Sequence, residues 1–186
     1  QPSRNRPLQN PRTQVPATVE RKQGSVLVTY EQENDQLTGA GFLLNPTGEP
    51  MVHTDHYFVP NVTRVDYLWG QRSGYVISSQ VSPIGPLDSL VYTSISYRLP
   101  LDLPKNLVAR GLRRFMKWYT TQVIGQDVDI MRVQNEGLTR APGGLEFKST
   151  EADLLHADIE AYRAWLRDGG LGEGPEDAKR RISFWI

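Results

Sequence analysis

One acidic residue, Asp127, falls on a face of a predicted helix that is otherwise apolar. The helix is predicted over residues 104–137, and at about 100° per residue its side chains divide between two faces. The side chains within about 60° of Asp127 are Met116, Thr120, Val123, Ile124, Ile130, Met131 and Gln134. Arg114, Asp129 and Arg132 point the other way. We therefore expect Asp127 to face the core and Asp129 to face solvent.

A carboxylate that faces a core must be compensated. A lone ionised group in a dry interior is costly, so it needs a cation, a metal ion or a proton. A metal ion is one solution for Asp127. An ion pair with an arginine, or a hydrogen bond to a backbone group of a neighbouring strand, is the other. The helix pattern alone leaves both open.

A family resemblance favours the metal. The run Ile124–Gln134 (IGQDVDIMRVQ), followed by a second helix with the sequence AYRAWL at 161–166, resembles the end of the catalytic domain of Rieske-type non-haem iron oxygenases. Within that family the likeness is to pheophorbide a oxygenase-like and ring-hydroxylating alpha subunits, and it covers roughly residues 60–170. The resemblance implies that Asp127 is the carboxylate ligand of a mononuclear Fe(II) held by two histidines and one carboxylate.

The same resemblance implies a reaction and partners. Members of the family hydroxylate or oxidise a small apolar, often aromatic, substrate with O2, and they receive electrons from a ferredoxin or reductase through a 2Fe–2S cluster. That cluster needs two cysteines, and this chain has none. We therefore expect the cluster in a part absent from this chain, and we expect the chain alone to be inactive. A homotrimer is a further expectation, because family members are often trimeric.

A substrate pocket is expected between the sheet and the long helix. Under the resemblance its wall comprises Met116, Val123, Ile124, Met131 and Gln134, although ordinary core packing is the alternative for each of them. Two other functions stay open. The chain could be a metal-free START-like module that binds a lipophilic ligand, with Asp127 paired to a basic side chain or to the ligand. It could also be a structural remnant whose cavity has collapsed.

The histidines do not follow the family pattern. His53 and His56 would supply two imidazoles, but the family places its histidines four or five residues apart on a helical turn. In an extended segment, positions three residues apart point to opposite faces and cannot share one ion. We expect both in a polar strand end or loop, His156 on the surface, and the two histidine ligands of iron upstream of Gln1.

Composition excludes several partners. Lysine plus arginine and aspartate plus glutamate each number 21 of 186 residues, so the formal net charge is zero and no global field attracts nucleic acid or an anionic membrane. No apolar run approaches the roughly 18–20 residues that span a bilayer, and no signal peptide is recognisable. We expect a cytoplasmic protein without a membrane span.

The rest of the chain predicts an α+β fold. Short segments rich in β-branched and aromatic residues alternate with turn signals, which is typical of an antiparallel sheet. The predicted strands are Ser25–Glu31, Thr38–Leu44, Asn61–Trp69, Gly74–Val81 and Ser89–Leu99. Together with the long helix and a second helix that ends at Asp168, they predict a START-like helix-grip domain, with the sheet wrapped around the long helix. We predict a proline-rich linker over 1–22, this domain over 23–170 and a tail over 171–186.

Overall fold

Seven strands and two helices account for most of the described chain. The computed structural model describes residues 14–31, 45, 48–71, 73–86, 88–99, 107–140, 149–150, 153 and 155–185. The strands are β1 (Gln14–Lys22), β2 (Ser25–Tyr30), β3 (Met51–Phe58), β4 (Val62–Trp69), β5 (Ser73–Pro83), β6 (Ser89–Arg98) and β7 (Ala178–Trp185). The helices are α1 (Leu107–Arg140) and α2 (His156–Arg167).

The strands form one sheet in the order β6–β5–β4–β3–β2–β1–β7. Every pairing is antiparallel, and strands that follow one another in sequence are neighbours, except that β7 returns to lie beside β1. The predicted α+β class with an antiparallel sheet is confirmed. Both predicted helices are present, and β2, β4, β5 and β6 lie where strands were predicted. The predicted strand Thr38–Leu44 lies outside the described residues.

Two of the predicted boundaries are wrong in part. Residues 14–22 of the predicted linker form β1, because Val15, Ala17 and Val19 alternate with polar residues and bury one face despite the nearby prolines. Residues 178–185 of the predicted tail form β7, which pairs along the length of β1. Its charged composition hid a strand whose arginines find acidic partners in the fold.

The core of the sheet unit lies between one sheet face and α2. Alternate residues of β1 and β2 point to this face, and they pack with Tyr57 of β3 and Tyr162 of α2. The fully or nearly fully buried members of this cluster are Ala17, Val19, Val26, Val28, Tyr57 and Tyr162. Burial of an aromatic ring and several branched side chains from four elements fixes α2 on the β1–β2 end of the sheet.

Tyr162 also ties α2 to the first hairpin. Its hydroxyl group donates a hydrogen bond to the carbonyl oxygen of Lys22 and accepts one from the backbone N–H of Gly24 at 3.1 Å. Lys22 and Ser25 are paired, which leaves a two-residue turn in which Gly24 adopts a φ of 77°. Such a left-handed conformation favours glycine, so the turn residue and the helix tyrosine hold the same corner together.

A turn precedes the helix α2. The Asp153 carboxylate accepts a hydrogen bond from the backbone N–H of Thr150 at 2.7 Å, as in a capping box. The helix itself begins at His156, and its N-cap residue Leu155 contributes no side-chain hydrogen bond. The Thr150–Asp153 contact therefore closes a turn that precedes α2 rather than capping it.

The chain divides into two compact units. One comprises residues 1–84, 88–100 and 149–186 and contains the sheet with α2; the other comprises 85–87 and 101–148, and its described part is mainly α1. Helix α1 has 34 residues, three positions shifted from the predicted bounds at each end. Of the helices that the structure describes, neither is both long enough and apolar enough to cross a membrane.

Candidate functional site

Asp127 lies on α1, but its side chain is exposed. The residues about two and three turns before it on the same side, Thr120 and Met116, are buried, so this face of α1 is covered in its N-terminal half. At Asp127, the described residues no longer bury this face of α1. The predicted burial of Asp127 is therefore wrong for this chain, because the face on which it lies is only partly packed.

The two aspartates of the motif differ in their partners. Asp129 pairs with Arg132 one turn later, with 3.5 Å between the guanidinium nitrogen and the carboxylate oxygen. Asp127 makes no ion pair or hydrogen bond with any residue in the described part of the chain. An accessible carboxylate without an internal partner is available to an external cation. The predicted pairing of Asp127 with an arginine is not seen among those residues.

The predicted apolar wall divides along the helix. Met116 is buried and Ile124 is half-buried, but Met131 is 62% exposed and Gln134 is also exposed. The Val123 side chain lies outside what the structure describes. Of the wall residues whose side chains are described, Met116 and Ile124 are thus at least partly packed, whereas Met131 and Gln134 are open to solvent.

His53 and His56 lie within β3 rather than at a strand end or in a loop. His53 belongs to the face that carries the core, since its neighbour across the sheet, Tyr30, is paired in turn with the core residue Ala17. His56 is three residues further along the strand and points to the opposite face. The two imidazoles cannot bind the same ion.

His156 lies at the surface, as predicted, but it is only partly exposed, with 31% of its side chain accessible. It opens α2, where its Nδ1 atom lies 2.8 Å from the Ser149 hydroxyl oxygen and its Nε2 atom lies 4.0 Å from a carboxylate oxygen of Glu160. These contacts engage both ring nitrogens within the α2 end of the sheet unit. The histidine is therefore engaged locally, in a role that its sequence position did not indicate.

An iron site with two histidines and a carboxylate does not fit the residues of this chain. The chain has three histidines, two of which point to opposite faces of β3 while the third is engaged beside α2. No group of three histidine, aspartate, glutamate or cysteine side chains that could hold a metal ion occurs among the described residues. The carboxylate for such a site is present, but the paired imidazoles are not.

A row of aromatic side chains crosses the core-facing side of the sheet. Consecutive strand pairings place Tyr30, His53, Tyr67, Tyr75 and Tyr97 side by side on β2 to β6. The ring of His53 stacks between two tyrosine rings, with centroid distances of 4.3 Å to Tyr30 and 4.4 Å to Tyr67. The Tyr67 and Tyr75 rings follow at 6.3 Å. We call these five residues the aromatic row.

A carboxylate lies beside this row. Asp55, two residues after His53, accepts a hydrogen bond of 2.6 Å from the Tyr30 hydroxyl group, and its other oxygen lies 3.4 Å from Nε2 of His53. Burial of the Asp55 carboxyl group opposes its ionisation, but the contacts with His53 and Tyr30 outweigh it and hold its pKa below the ordinary value. Burial and the neighbouring carboxylate raise the pKa of Tyr30. Asp55 is therefore ionised and Tyr30 is a neutral donor at neutral pH.

The sequence contains these residues but gave no signal that unites them. Tyr30, His53 and Tyr67 come from three strands, and His53 was considered only as a partner of His56. A pattern of one aromatic residue per strand becomes informative only when the register is known, because a shift of one residue moves a side chain to the other face. The arrangement offers an extended apolar and aromatic surface with one fixed negative charge.

Replacing Tyr30 with phenylalanine is expected to lower the free energy of unfolding at neutral pH by about 1.5–3 kcal/mol, the range for a hydrogen bond to a charged group. Because Asp55 has a lowered pKa in the folded state, its stabilising contribution is fully present above its unfolded pKa and is lost as the pH falls through the folded pKa. The difference between variant and wild type, measured by urea unfolding, should therefore shrink in acid.

Tyr57→Phe is the matched control for that measurement. The Tyr57 hydroxyl group donates to the carbonyl oxygen of Pro60 at 2.5 Å, and this acceptor does not titrate in the acid range. Its removal should cost a similar amount at every acidic pH. A Tyr30→Phe effect that is equally independent of pH would show that the phenol does not stabilise an ionised Asp55.

Comparisons with known proteins add no relative. No family model matches the chain, and no curated protein and no solved structure is significantly similar to it.

Proposed function

We propose that this chain is the catalytic-domain portion of a Rieske-type non-haem iron oxygenase, in which Asp127 supplies the carboxylate ligand of a mononuclear Fe(II). The observation that carries the proposal is the state of Asp127 within the motif IGQDVDIMRVQ: its carboxylate is accessible and has no partner among the described residues, whereas Asp129 two positions later is paired. A metal ligand must keep its lone pairs available, and Asp127 meets that requirement.

The fold supports the proposal at a coarse level. An antiparallel sheet followed by a long helix is the element order of a START-like helix-grip domain, in which the sheet wraps around that helix.

The imidazole ligands would have to come from residues outside this sequence. The three histidines of the chain do not converge, so the chain supplies at most one of three ligands, and a single carboxylate binds iron weakly. The 2Fe–2S cluster would likewise lie elsewhere, since the chain has no cysteine. We accordingly expect no oxygenase product from the chain alone, even with a reductase, and assign no step of the reaction to its residues.

The substrate class follows from the side chains available. The aromatic row would accommodate a small apolar, aromatic molecule, and among the described residues beside the row one carboxylate, that of Asp55, supplies a fixed negative charge. The electron donor would be a ferredoxin or a reductase, as the resemblance implies. A cytoplasmic location completes the proposal.

A second candidate function is a metal-free START-like module that binds a lipophilic ligand. The aromatic row favours it, because stacked rings on a sheet face form an apolar binding wall without a metal. In this alternative Asp127 has no role in binding, and its accessible position reflects a solvent-facing helix surface. The two candidates differ in what Asp127 does, so a substitution there separates them.

Asp127→Ala in the full-length protein that carries this sequence is expected to abolish binding of the mononuclear iron, with at least about a tenfold loss of Fe(II) affinity. The mononuclear site would be measured after anaerobic loading, through the electron paramagnetic resonance of its nitric oxide adduct, which distinguishes it from an iron–sulfur cluster. We expect the loss of iron affinity because the substitution removes the charged carboxylate from a site with three protein ligands.

Asp129→Ala is the matched control, since it removes the same charge two residues away from a carboxylate that already has a partner. It should retain the nitrosyl signal and the iron content. Equal iron binding by the two variants would overturn the role of Asp127. A wild-type protein without mononuclear iron that nevertheless binds an apolar ligand would favour the metal-free module.

A further inference from the structure

Among the strands that the structure describes, β6 forms one edge of the sheet. It is 10 residues long and, among the strands that the structure describes, pairs only with β5. Its apolar side chains are open to solvent, with exposed fractions of 45% for Leu90, 51% for Val91 and 61% for Tyr92. A long, apolar edge strand presents unpaired backbone N–H and C=O groups and is a template for another strand.

The opposite edge of the sheet is protected, and the contrast is informative. Strand β7 carries Lys179, Arg180 and Arg181 in a row, and charged residues on an edge discourage pairing with another chain. Strand β6 has no charged residue before Arg98 at its last position. One edge is therefore blunted by charge, while the other is left able to pair.

We propose that β6 pairs with β6 of a second copy of this chain, antiparallel and about a two-fold axis at Thr93, so that the two sheets become continuous. Around such an axis, residues directly opposite each other have numbers that sum to twice the number of the central residue. This inference is independent of the proposed iron site, because it uses only the sheet edge.

Charge complementarity selects this register. With Thr93 at the axis, Asp88 of each copy lies opposite Arg98 of the other, which places an opposite-charge pair at both ends of the new ladder. A shift of the axis by one residue in either direction separates these charges by two positions. Asp88 and Arg98 are both exposed, and Asp88 has no ion-pair partner among the described residues.

The side chains between the two ends are also compatible. In an antiparallel two-fold pair, opposite residues point to the same sheet face, as the register requires. The resulting pairs are Thr93 with Thr93, Val91 with Ile95, Ser89 with Tyr97, Tyr92 with Ser94 and Leu90 with Ser96. At the axis, Thr93 of one copy lies opposite Thr93 of the other, and a threonine–threonine pair stabilises a sheet. No like charges lie opposite each other in this register. The strand is thus complementary to itself, which favours a second copy over an unrelated extended peptide.

The ends of β6 cannot compensate each other within one chain. Asp88 and Arg98 are ten positions apart on an extended segment, which is about 33 Å at the rise of a strand. Arg98 donates one hydrogen bond within its own chain, to the carbonyl oxygen of Gln71 at 3.2 Å, and a guanidinium group has further donors available. If the effect of changing Asp88 depends on the charge at position 98, the two side chains must therefore interact between two copies of the chain.

Charge reversal tests the pairing by sedimentation and light scattering over a range of concentrations. Wild type should dimerise, and Asp88→Arg or Arg98→Asp alone should raise the dimer dissociation constant at least about tenfold, because each puts like charges together at both ends. The double variant Asp88→Arg/Arg98→Asp should recover the dimer. An equimolar mixture of the two single variants should form a heterodimer, since each chain then meets opposite charges. Asp129→Arg and Arg114→Asp are controls for net charge and should leave the dimer unchanged.

Cysteine cross-linking tests the register independently. The chain has no cysteine, so a single substitution gives a single thiol per copy. Thr93→Cys places two thiols opposite each other across the axis, where Cα atoms of paired strands are about 4.5–5.5 Å apart, within disulfide range. It should yield a covalent dimer under mild oxidation, while Ser96→Cys, opposite Leu90, should yield much less.

Several outcomes would overturn the proposal. A monomeric wild type at all concentrations, a dimer indifferent to all charge reversals, or single variants that fail to recombine would each contradict it. Cross-linking that is equal at positions 93 and 96 would mean random collision rather than this register. Binding of β6 to a different protein, with no self-association, would make the edge a site for that partner and also refute the dimer.

Discussion

Replacing Asp158 with alanine is expected to lower the free energy of unfolding by about 3 kcal/mol. The Asp158 side chain is only 2% exposed and bridges α2 to both β1 and β7. Its oxygens lie 3.0 Å from Arg21 and 2.5 Å from Arg180. Removal of the carboxylate takes away the negative charge that the two guanidinium groups share. The Arg21 and Arg180 side chains are 20% and 38% exposed, so water can partly rehydrate their guanidinium groups. We therefore expect a loss of stability at the lower end of the range for a broken buried ion pair.

Urea unfolding at neutral pH measures this effect, with Asp168→Ala as the control. Asp168 is exposed at the C-terminal end of α2, so its loss should change stability by less than about 0.5 kcal/mol. The double change Asp158→Leu/Arg21→Met should recover part of the loss, since it removes a buried charge together with one of its partners. Equal stability of Asp158→Ala and Asp168→Ala would mean that the arginine bridge does not attach α2.

Tyr162→Ala is expected to be at least as damaging, with a loss of about 3–5 kcal/mol. The ring is 1% exposed and packs among the core residues of β1, β2 and β3, while its hydroxyl group joins the Lys22 carbonyl oxygen and the Gly24 N–H. Truncation opens a cavity and also removes both hydrogen bonds between the hydroxyl group and the hairpin backbone. Thermal or urea unfolding should show the loss directly.

Tyr162→Phe divides that loss into its parts. It keeps the ring and removes the hydroxyl group, so we expect about 1–3 kcal/mol, the cost of buried polar groups left unsatisfied. Trp118→Ala controls for the loss of a large aromatic residue, because Trp118 on α1 is 60% exposed and should change stability by under about 0.5 kcal/mol. If Tyr162→Phe were neutral, the hydrogen bonds to the hairpin would not contribute.

Local patterns predicted elements well where periodicity was strong. The helix α1 was placed within three residues at each end, and β2, β4, β5 and β6 were all found, because alternation and helical spacing are properties of short segments. The strands β1, β3 and β7 were missed for identifiable reasons. Prolines in and before β1 argued against a strand there. Histidines and an aspartate interrupted the apolar pattern of β3, and a run of basic residues did so in β7.

The candidate site was less predictable. Helical spacing placed Asp127 on the same side as Met116 and Thr120, and those two residues are buried as expected. Spacing cannot say how far along a helix the cover extends, since that depends on elements distant in sequence. The aromatic row shows the same limit, because its members come from separate strands and meet only through the register of the sheet.

By itself, the sequence determined both helices and the strands β2, β4, β5 and β6, the α+β class, the lack of any cysteine chemistry, and the side of α1 on which Asp127 lies. Only the tertiary structure decided that Asp127 is exposed, that His53 and His56 lie inside a strand, that Tyr30, Asp55 and His53 form one cluster, and that β6 is an edge among the described strands. The physical reason is that secondary structure follows from neighbours along the chain. Burial, side-chain partners and sheet edges depend on contacts between residues far apart in sequence.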